Sequence, residues 1–316
     1  MQPINQITVK APATSANLGP GFDVFGLAIE KPNDKVTLTR TASSGVKIQV
    51  SGLSAESIPS IPERNTAGVV AIQMIKDFSL NTGIAIRIEK GIWPGRGLGS
   101  SAAPAAAVAF GINKMFNLNL SNAQLVRYAS KGEIASAGSE HADNASAAVC
   151  GNFVIIQSYN PIEIIELKAP PDMEICVAFP HMDTPTGKTA KARAVVPKMV
   201  PLEKLVYNVG KAASMAAGFA TGDVDLIGKS MCDAIVEPAR AFLIPGFIQV
   251  KENALNAGAC GVTISGAGPA VIAIINKKKA NAEKVAEAMK QGFKTAGFES
   301  TAIATRPGRG AHILEK

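Results

Sequence analysis

Apolar and polar residues alternate with a period of two over residues 36–39 and 46–50, the spacing of strands buried on one face, and more weakly over 7–10. Around Asn65 the period lengthens: Val69, Val70, Ile72, Met74 and Ile75 fit a largely apolar helix, before residues 84–88 return to strand alternation. An alanine-rich run over 102–110 predicts a helix that tolerates Pro104 in its first turn. Ser121 stands where it can cap another helix carrying Leu125, Val126 and Ala129 on one face, with Glu133 near its end. Strands are expected at 153–156, 163–167 and 175–179, then helices over 188–195, 202–220, 225–234 and 247–257. Strands at 262–265 and 270–275 flank a Gly-rich turn, followed by a helix over 280–294 and a strand near 301–304. Strands dominate before the loops at 161–171 and longer helices after them. We therefore divide the chain into domains at 1–165 and 166–316, in line with a length of 316 residues, near which a single core stops growing.

Composition, 47% hydrophobic but 5% aromatic, agrees with a globular mixed α and β chain. Thirty-two Lys+Arg against 25 Asp+Glu give +7, yet the basic residues are scattered apart from Lys277, Lys278 and Lys279. With no basic patch interleaved with aromatics, nucleic acid is not an expected partner, whereas small anionic ligands suit the balance. No uncharged run approaches the ~20 residues needed to cross a bilayer, and the N-terminus has no basic and apolar leader, so no membrane partner and a cytoplasmic place are expected. Cys150, Cys176, Cys232 and Cys260 lie far apart and read as reduced core residues; the three histidines make no metal pair at helical spacing.

The chemistry is expected in the stretch from Pro94 to Pro104. Gly95, Gly97 and Gly99 allow a sharp bend and close approach of a ligand, and the helix that follows offers unpaired N–H groups and a positive dipole end to phosphate, beside the hydroxyls of Ser100 and Ser101. By contrast, the run from Gly222 to Ser230 only imitates a P-loop: five residues separate its glycines where the motif has four, and its surroundings are helical. No strand-flanked Gly-x-Gly-x-x-Gly supports a Rossmann site.

Three separated Gly-rich segments, 11–23, 94–103 and 261–270, change the picture when taken together. Gly97-Leu98-Gly99-Ser100-Ser101-Ala102, Ser265-Gly266-Ala267-Gly268-Pro269 and the stretch from Pro12 to Asp23 resemble the three motifs of the GHMP kinase superfamily, the last in the form found in its homoserine kinases. The resemblance covers nearly the whole chain. One departure is Trp93, which stands where the superfamily loop usually has proline, with Pro94 one place later.

The resemblance implies an α+β, two-domain GHMP kinase fold, with a ribosomal S5 domain 2-like N-terminal domain and a ferredoxin-like C-terminal domain. It implies ATP and Mg²⁺ as cofactors, phosphorylation of the side-chain hydroxyl of L-homoserine to O-phospho-L-homoserine for threonine synthesis, and a homodimer. ATP is then expected at Pro94, Gly95, Arg96, Gly97, Leu98, Gly99, Ser100, Ser101, Ala102, Gly266 and Gly268. Asn65 aligns with the adenine contact, although a helix N-cap explains an asparagine there equally well. Glu133 matches the magnesium carboxylate, partnered by a loop serine, Ser100 or Ser101, of which Ser100 is carried as ligand and catalytic group. The acceptor falls to Asn17, Asp23, His141, Asn144, Thr189, Arg193 and Arg240: guanidinium forks for a carboxylate, Asp23 for an ammonium. Asn144 stands where mevalonate-type relatives carry aspartate; it cannot act as a base and is expected to orient the acceptor hydroxyl, with Arg193 also catalytic. The alternatives are a kinase for another small hydroxyl compound, of mevalonate or shikimate type, and a silent ATP-binding sensor on the same fold.

Overall fold

The computed structural model describes residues 4–137, 142–183 and 187–314. The chain runs through β1 (Gln6–Asn17), β2 (Gly21–Thr41), β3 (Val46–Gly52), α1 (Thr66–Asp77), β4 (Gly83–Lys90), α2 (Ala102–Met115), α3 (Asn122–Ala137), α4 (Ala142–Cys150), β5 (Phe153–Tyr159) and β6 (Ile162–Leu167). It continues with β7 (Met173–Pro180), α5 (Lys188–Ala194), α6 (Leu202–Thr221), α7 (Val224–Lys229), α8 (Val236–Arg240), α9 (Phe247–Asn256), β8 (Gly261–Ile264), β9 (Val271–Asn276), α10 (Ala282–Thr295), β10 (Ser300–Thr305) and β11 (His312–Ile313).

The first sheet has the order β11-β1-β2-β4-β3, with β5 on β2 and β6 on β5. Its strands are antiparallel except for β3 beside β4, where Val46 faces Ile84 and Val50 faces Ile88. α1 to α4 cover one face, and α2 is buried from Ala102 to Ala109. A helix apolar on all sides needs neighbours on all sides, and alanine lets them come close. The second sheet has the order β10-β7-β9-β8, antiparallel throughout, which in chain order is the 4-1-3-2 arrangement of a ferredoxin-like unit. α9 and α10 build a second core on one of its faces through Phe247, Val250, Val285, Met289 and Phe293. On the other, Met215 and Phe219 of α6 and Ile227 of α7 join the larger core, where the rings of Phe153 and Phe219 stack at 3.8 Å and 3°.

The segment 11–23 is a strand, a turn at residues 18–20 and the start of β2, so its glycines serve a hairpin. One expected element changes. The helix expected over 225–234 stops at Lys229, because Asp233 turns back to accept the N–H groups of Val236 and Glu237 and opens α8 instead. The division at 165 falls inside β6, and β11 returns to pair with β1, so the second half of the chain contributes an edge to the first sheet. Residues 224–229, within the P-loop imitation, are helix α7. No helix among the described residues is long and apolar enough to cross a membrane.

Candidate active site

A cleft of about 530 Å³ opens where β1, the β4–α2 connection, α3, α4 and α5 meet the β8–β9 turn. Left-handed backbone at Gly95, Gly97 and Gly99 folds the β4–α2 connection into a bend against the start of α2. A Cβ on Gly99 would lie 1.8 Å from Thr14 Oγ1, and one on Gly97 2.4 Å from the Ser265 carbonyl oxygen, so only glycine fits either place. Neighbours on both sides tie the bend. The Thr14 N–H donates to the Leu98 carbonyl at 3.0 Å, Ser265 Oγ to that of Gly97 at 2.7 Å, and the Ala270 N–H to that of Arg96 at 3.0 Å. Beneath the bend, buried Lys90 donates to Asp34 and, at 2.7 Å, to the Ser100 carbonyl, while Asp34 accepts from the Gly91 and Ile92 N–H groups at 2.9 and 3.0 Å. Burial pushes the Asp34 carboxyl up and the Lys90 ammonium down, against their mutual attraction.

Glu133 of α3 is buried in the wall of this cleft, where Ser101 Oγ donates to its Oε2 at 2.9 Å. Burial raises its pKa to about 7; the Asp143 charge adds to the rise, and the Ser101 hydrogen bond and Lys90 oppose it. Ser100, the serine carried as metal ligand, instead donates to the Ile92 carbonyl at 3.0 Å. The geometry therefore couples Ser101, not Ser100, to the acid, because the last turn of the bend points successive side chains in different directions.

At the other end of the cleft Arg193 of α5 grips Asp23 with two bonds, 2.9 and 2.8 Å. The Arg193 and Arg240 guanidinium groups lie 5.3 and 5.1 Å from the Phe22 ring centre. Arg240 is buried and donates to the Ala192 and Gly266 carbonyls at 2.9 and 3.1 Å. Asn17 spans the two halves of the chain, accepting from the Asp23 N–H and donating to the Gly266 carbonyl, each at 3.0 Å. Asn144 of α4 accepts from Thr14 Oγ1 at 2.7 Å, so its carbonyl oxygen is engaged and its amide group is left to the cleft and to Asp143. Burial lifts Asp143 to about 6, with the Asp23 charge adding and the Asn144 N–H opposing.

Most of the expected residues thus share one cleft, Pro94 and Thr189 included. Four behave differently. Arg96 turns its side chain out of the cleft to the Met182 carbonyl at 2.8 Å and over Phe179. Gly268 packs against Ile244 behind the turn, while Gly266 and Ala267 form the lining. Ala102 is fully buried at the start of α2. Asn65 caps α1 by accepting from the Ala67 N–H at 3.0 Å and donates to the Pro59 carbonyl at 2.7 Å, so both ends of its amide already hold backbone beside the cleft. His141 lies outside the described residues.

Sequence reasoning missed Thr14, Asp34, Lys90, Asp143 and Lys188. Asp143 sits beside a quoted asparagine and Lys188 beside Thr189, which is a usable signal; Asp34 and Lys90 are 56 residues apart and carry none. Among the described residues no cluster of three His, Cys, Asp or Glu could hold a metal, so any ion here rests on Glu133, a hydroxyl and its ligand's own oxygens.

Comparison with known proteins bears on the family of the whole chain. The family models described as GHMP kinases N terminal domain and GHMP kinases C terminal match residues 65–152 and 215–295. A homoserine kinase of Methanococcus vannielii is 46% identical over 313 residues, 99% of either chain, and one of Methanocella arvoryzae is 42% identical over the same shares. The crystal structure of a homoserine kinase from Cytophaga hutchinsonii superposes with a TM-score of 0.91 at 35% identity, covering 98% of both chains.

Proposed function

The chain belongs to the GHMP kinase family, and from that premise we propose that it transfers the terminal phosphoryl group of ATP to the side-chain hydroxyl of L-homoserine, yielding O-phospho-L-homoserine for threonine synthesis. The observation that carries the reading is the layout of one cleft. A glycine bend at the start of α2 suits a phosphate tail at one end, Asp23, Arg193 and Arg240 suit a zwitterion at the other, and Asn144 lies beside both. An acid for the ammonium and a fork for the carboxylate are what an amino acid needs and mevalonate, which has no ammonium, does not.

The hydroxyl oxygen bonds to the γ-phosphorus as the β–γ bridging P–O bond breaks; ADP leaves, and the hydroxyl proton passes to a phosphoryl oxygen. Asn144 cannot take that proton, and its oxygen already accepts from Thr14; its amide orients the acceptor. In a loose transition state, position and charge neutralisation carry most of the rate. Glu133 and Ser101 fit a magnesium ion, a hard acid and a hydroxyl already 2.9 Å apart on the cleft wall, and these two would hold it. When bound, the ion supplies charge neutralisation on the phosphates.

A coupled assay for ADP release tests the reading with L-homoserine, mevalonate and shikimate as acceptors. Homoserine-dependent turnover is expected; turnover with another acceptor only, or none at all alongside tight ATP binding, would reassign the protein to a different kinase or to a sensor.

A homodimer is the assembly we propose. In the N-terminal half of α6, Leu202, Val206 and Val209, with Met199 just before it, are exposed and the buried position among them is the polar Asn208, the inverse of the C-terminal half, where Met215 and Phe219 pack into this chain's own core. Sedimentation velocity at micromolar concentration should give twice the chain mass, and Val206→Asp should halve it. A cytoplasmic place suits the four free thiols.

A further inference from the structure

The cation that the sequence puts in the phosphate bend, Arg96, leaves the cleft for the Met182 carbonyl, and the charge facing the bend comes instead from α5. Lys188 lines the cleft with its ammonium at the seam of the two Gly-rich segments, donating to the Gly95 carbonyl at 2.7 Å and to that of Gly268. An ammonium has three N–H donors, and these two carbonyls account for two. Of the other cations of this cleft described above, Lys90 and Arg193 are paired with carboxylates and Arg240 holds the Ala192 and Gly266 carbonyls; among the described residues no carboxylate pairs with Lys188. The charged groups that face it are cations, Arg96 from the bend and Arg240 from α8; its own helix adds Lys191 and Arg193, and Asp183 faces Arg96 rather than Lys188. A desolvated ammonium among like charges lacks an anion, and the cleft is shaped to receive one.

We propose that Lys188 is a further catalytic residue, held by the Gly95 and Gly268 carbonyls so that its third N–H contacts the phosphate tail of the nucleotide. The proposal rests on the kinase reading above. By holding those two carbonyl oxygens, Lys188 also turns their negative ends away from the phosphates. Desolvation, with Arg96 and Arg240, brings its pKa down to about 7, so in the empty enzyme it loses its charge as pH rises past neutrality.

The test compares Lys188→Met and Lys188→Arg with the wild type, varying MgATP from pH 6 to pH 9. Lys188→Met is expected to lower kcat/KM for MgATP by about 100-fold, the size of loss seen when one donor to developing charge is removed, with KM for homoserine within about twofold. The wild-type kcat/KM for MgATP is expected to decline above pH 7, and Lys188→Arg to recover most of the activity while removing that decline, because a guanidinium stays charged. Wild-type kcat/KM in Lys188→Met, or an alkaline decline that persists in Lys188→Arg, would overturn the proposal. Calorimetric titration with a non-hydrolysable ATP analogue separates the two readings. If the wild type binds it at least tenfold more tightly than Lys188→Met but turns over no homoserine, the kinase assignment fails and only the contact of Lys188 with the phosphates stands; equal binding sinks Lys188 alone.

Discussion

Ser101 gives its hydroxyl hydrogen to Glu133 Oε2 at 2.9 Å, joining the N-cap of α2 to the C-terminal half of α3 across the wall of the cleft. The bond takes Ser101 away from ordinary capping, since its side chain makes no cap bond to α2. It also stabilises the ionised acid that burial opposes.

The pH dependence follows with a definite sign. Glu133 titrates near 7 in the fold against 4.5 in an exposed chain, so between those values the native state holds the extra proton, and stability falls as pH rises through 7. A magnesium ion held by Glu133, as proposed above, needs the ionised form, so its apparent affinity should strengthen about tenfold per unit as pH climbs toward 7 and level off above it. Glu133→Gln should abolish that slope, cut kcat by about 100-fold or more, and leave the thermal midpoint unchanged or higher, because it removes a buried acid. Melting curves, magnesium titrations and turnover measurements at pH 5.5, 7 and 8.5 check all three.

Gly99→Ala should disable the bend. The new methyl group meets Thr14 Oγ1 on a backbone at φ 65°, where no side chain is comfortable, so the cost combines overlap and strain, about 2–4 kcal/mol. Urea unfolding should show that loss, and binding of a fluorescent ATP analogue should drop below detection. Retained nucleotide affinity would mean that the bend does not hold phosphate.

The side chains of Arg193 and Asp23 are 41% and 30% exposed, so the pair's contribution to stability is small, within about 1 kcal/mol. Under the proposed function its importance is to the acceptor. Arg193→Lys loses the fork and should lower kcat/KM for homoserine by about 100-fold with KM for MgATP nearly constant; a matching rise in the MgATP constant would place Arg193 at the nucleotide instead.

Lys90 and Asp34 make the opposite case, a pair buried on both sides. Removing one partner, as in Lys90→Met or Asp34→Asn, should cost about 3–5 kcal/mol by stranding the other, and the double variant should lose less than the sum. Chemical denaturation of the four proteins gives the coupling directly. Because Lys90 also holds the Ser100 carbonyl, each single variant should weaken ATP binding as well.

Periodicity located most strands of both sheets, though not β11 or the first half of β2, and with helix-forming composition it located α1, α2 and α3, because alternation, helical spacing and propensity are local properties of the chain. It failed where a side chain overrides local pattern, as when Asp233 closes a new helix start and splits the expected 225–234 helix. The left-handed glycines at 95, 97 and 99 and their hydroxyl neighbours were legible too, since a bend that only glycine can make is written in consecutive residues. What folding alone decided is direction and distance: that Ser101 rather than Ser100 meets Glu133, that Arg96 leaves the cleft, and that Lys188 enters it. The contacts that bring Ser101 to Glu133, Arg96 to Met182 and Lys188 to Gly95 join segments 32, 86 and 93 residues apart. Charge and hydrogen bonding act through a few ångströms of space, which separation along the chain does not encode.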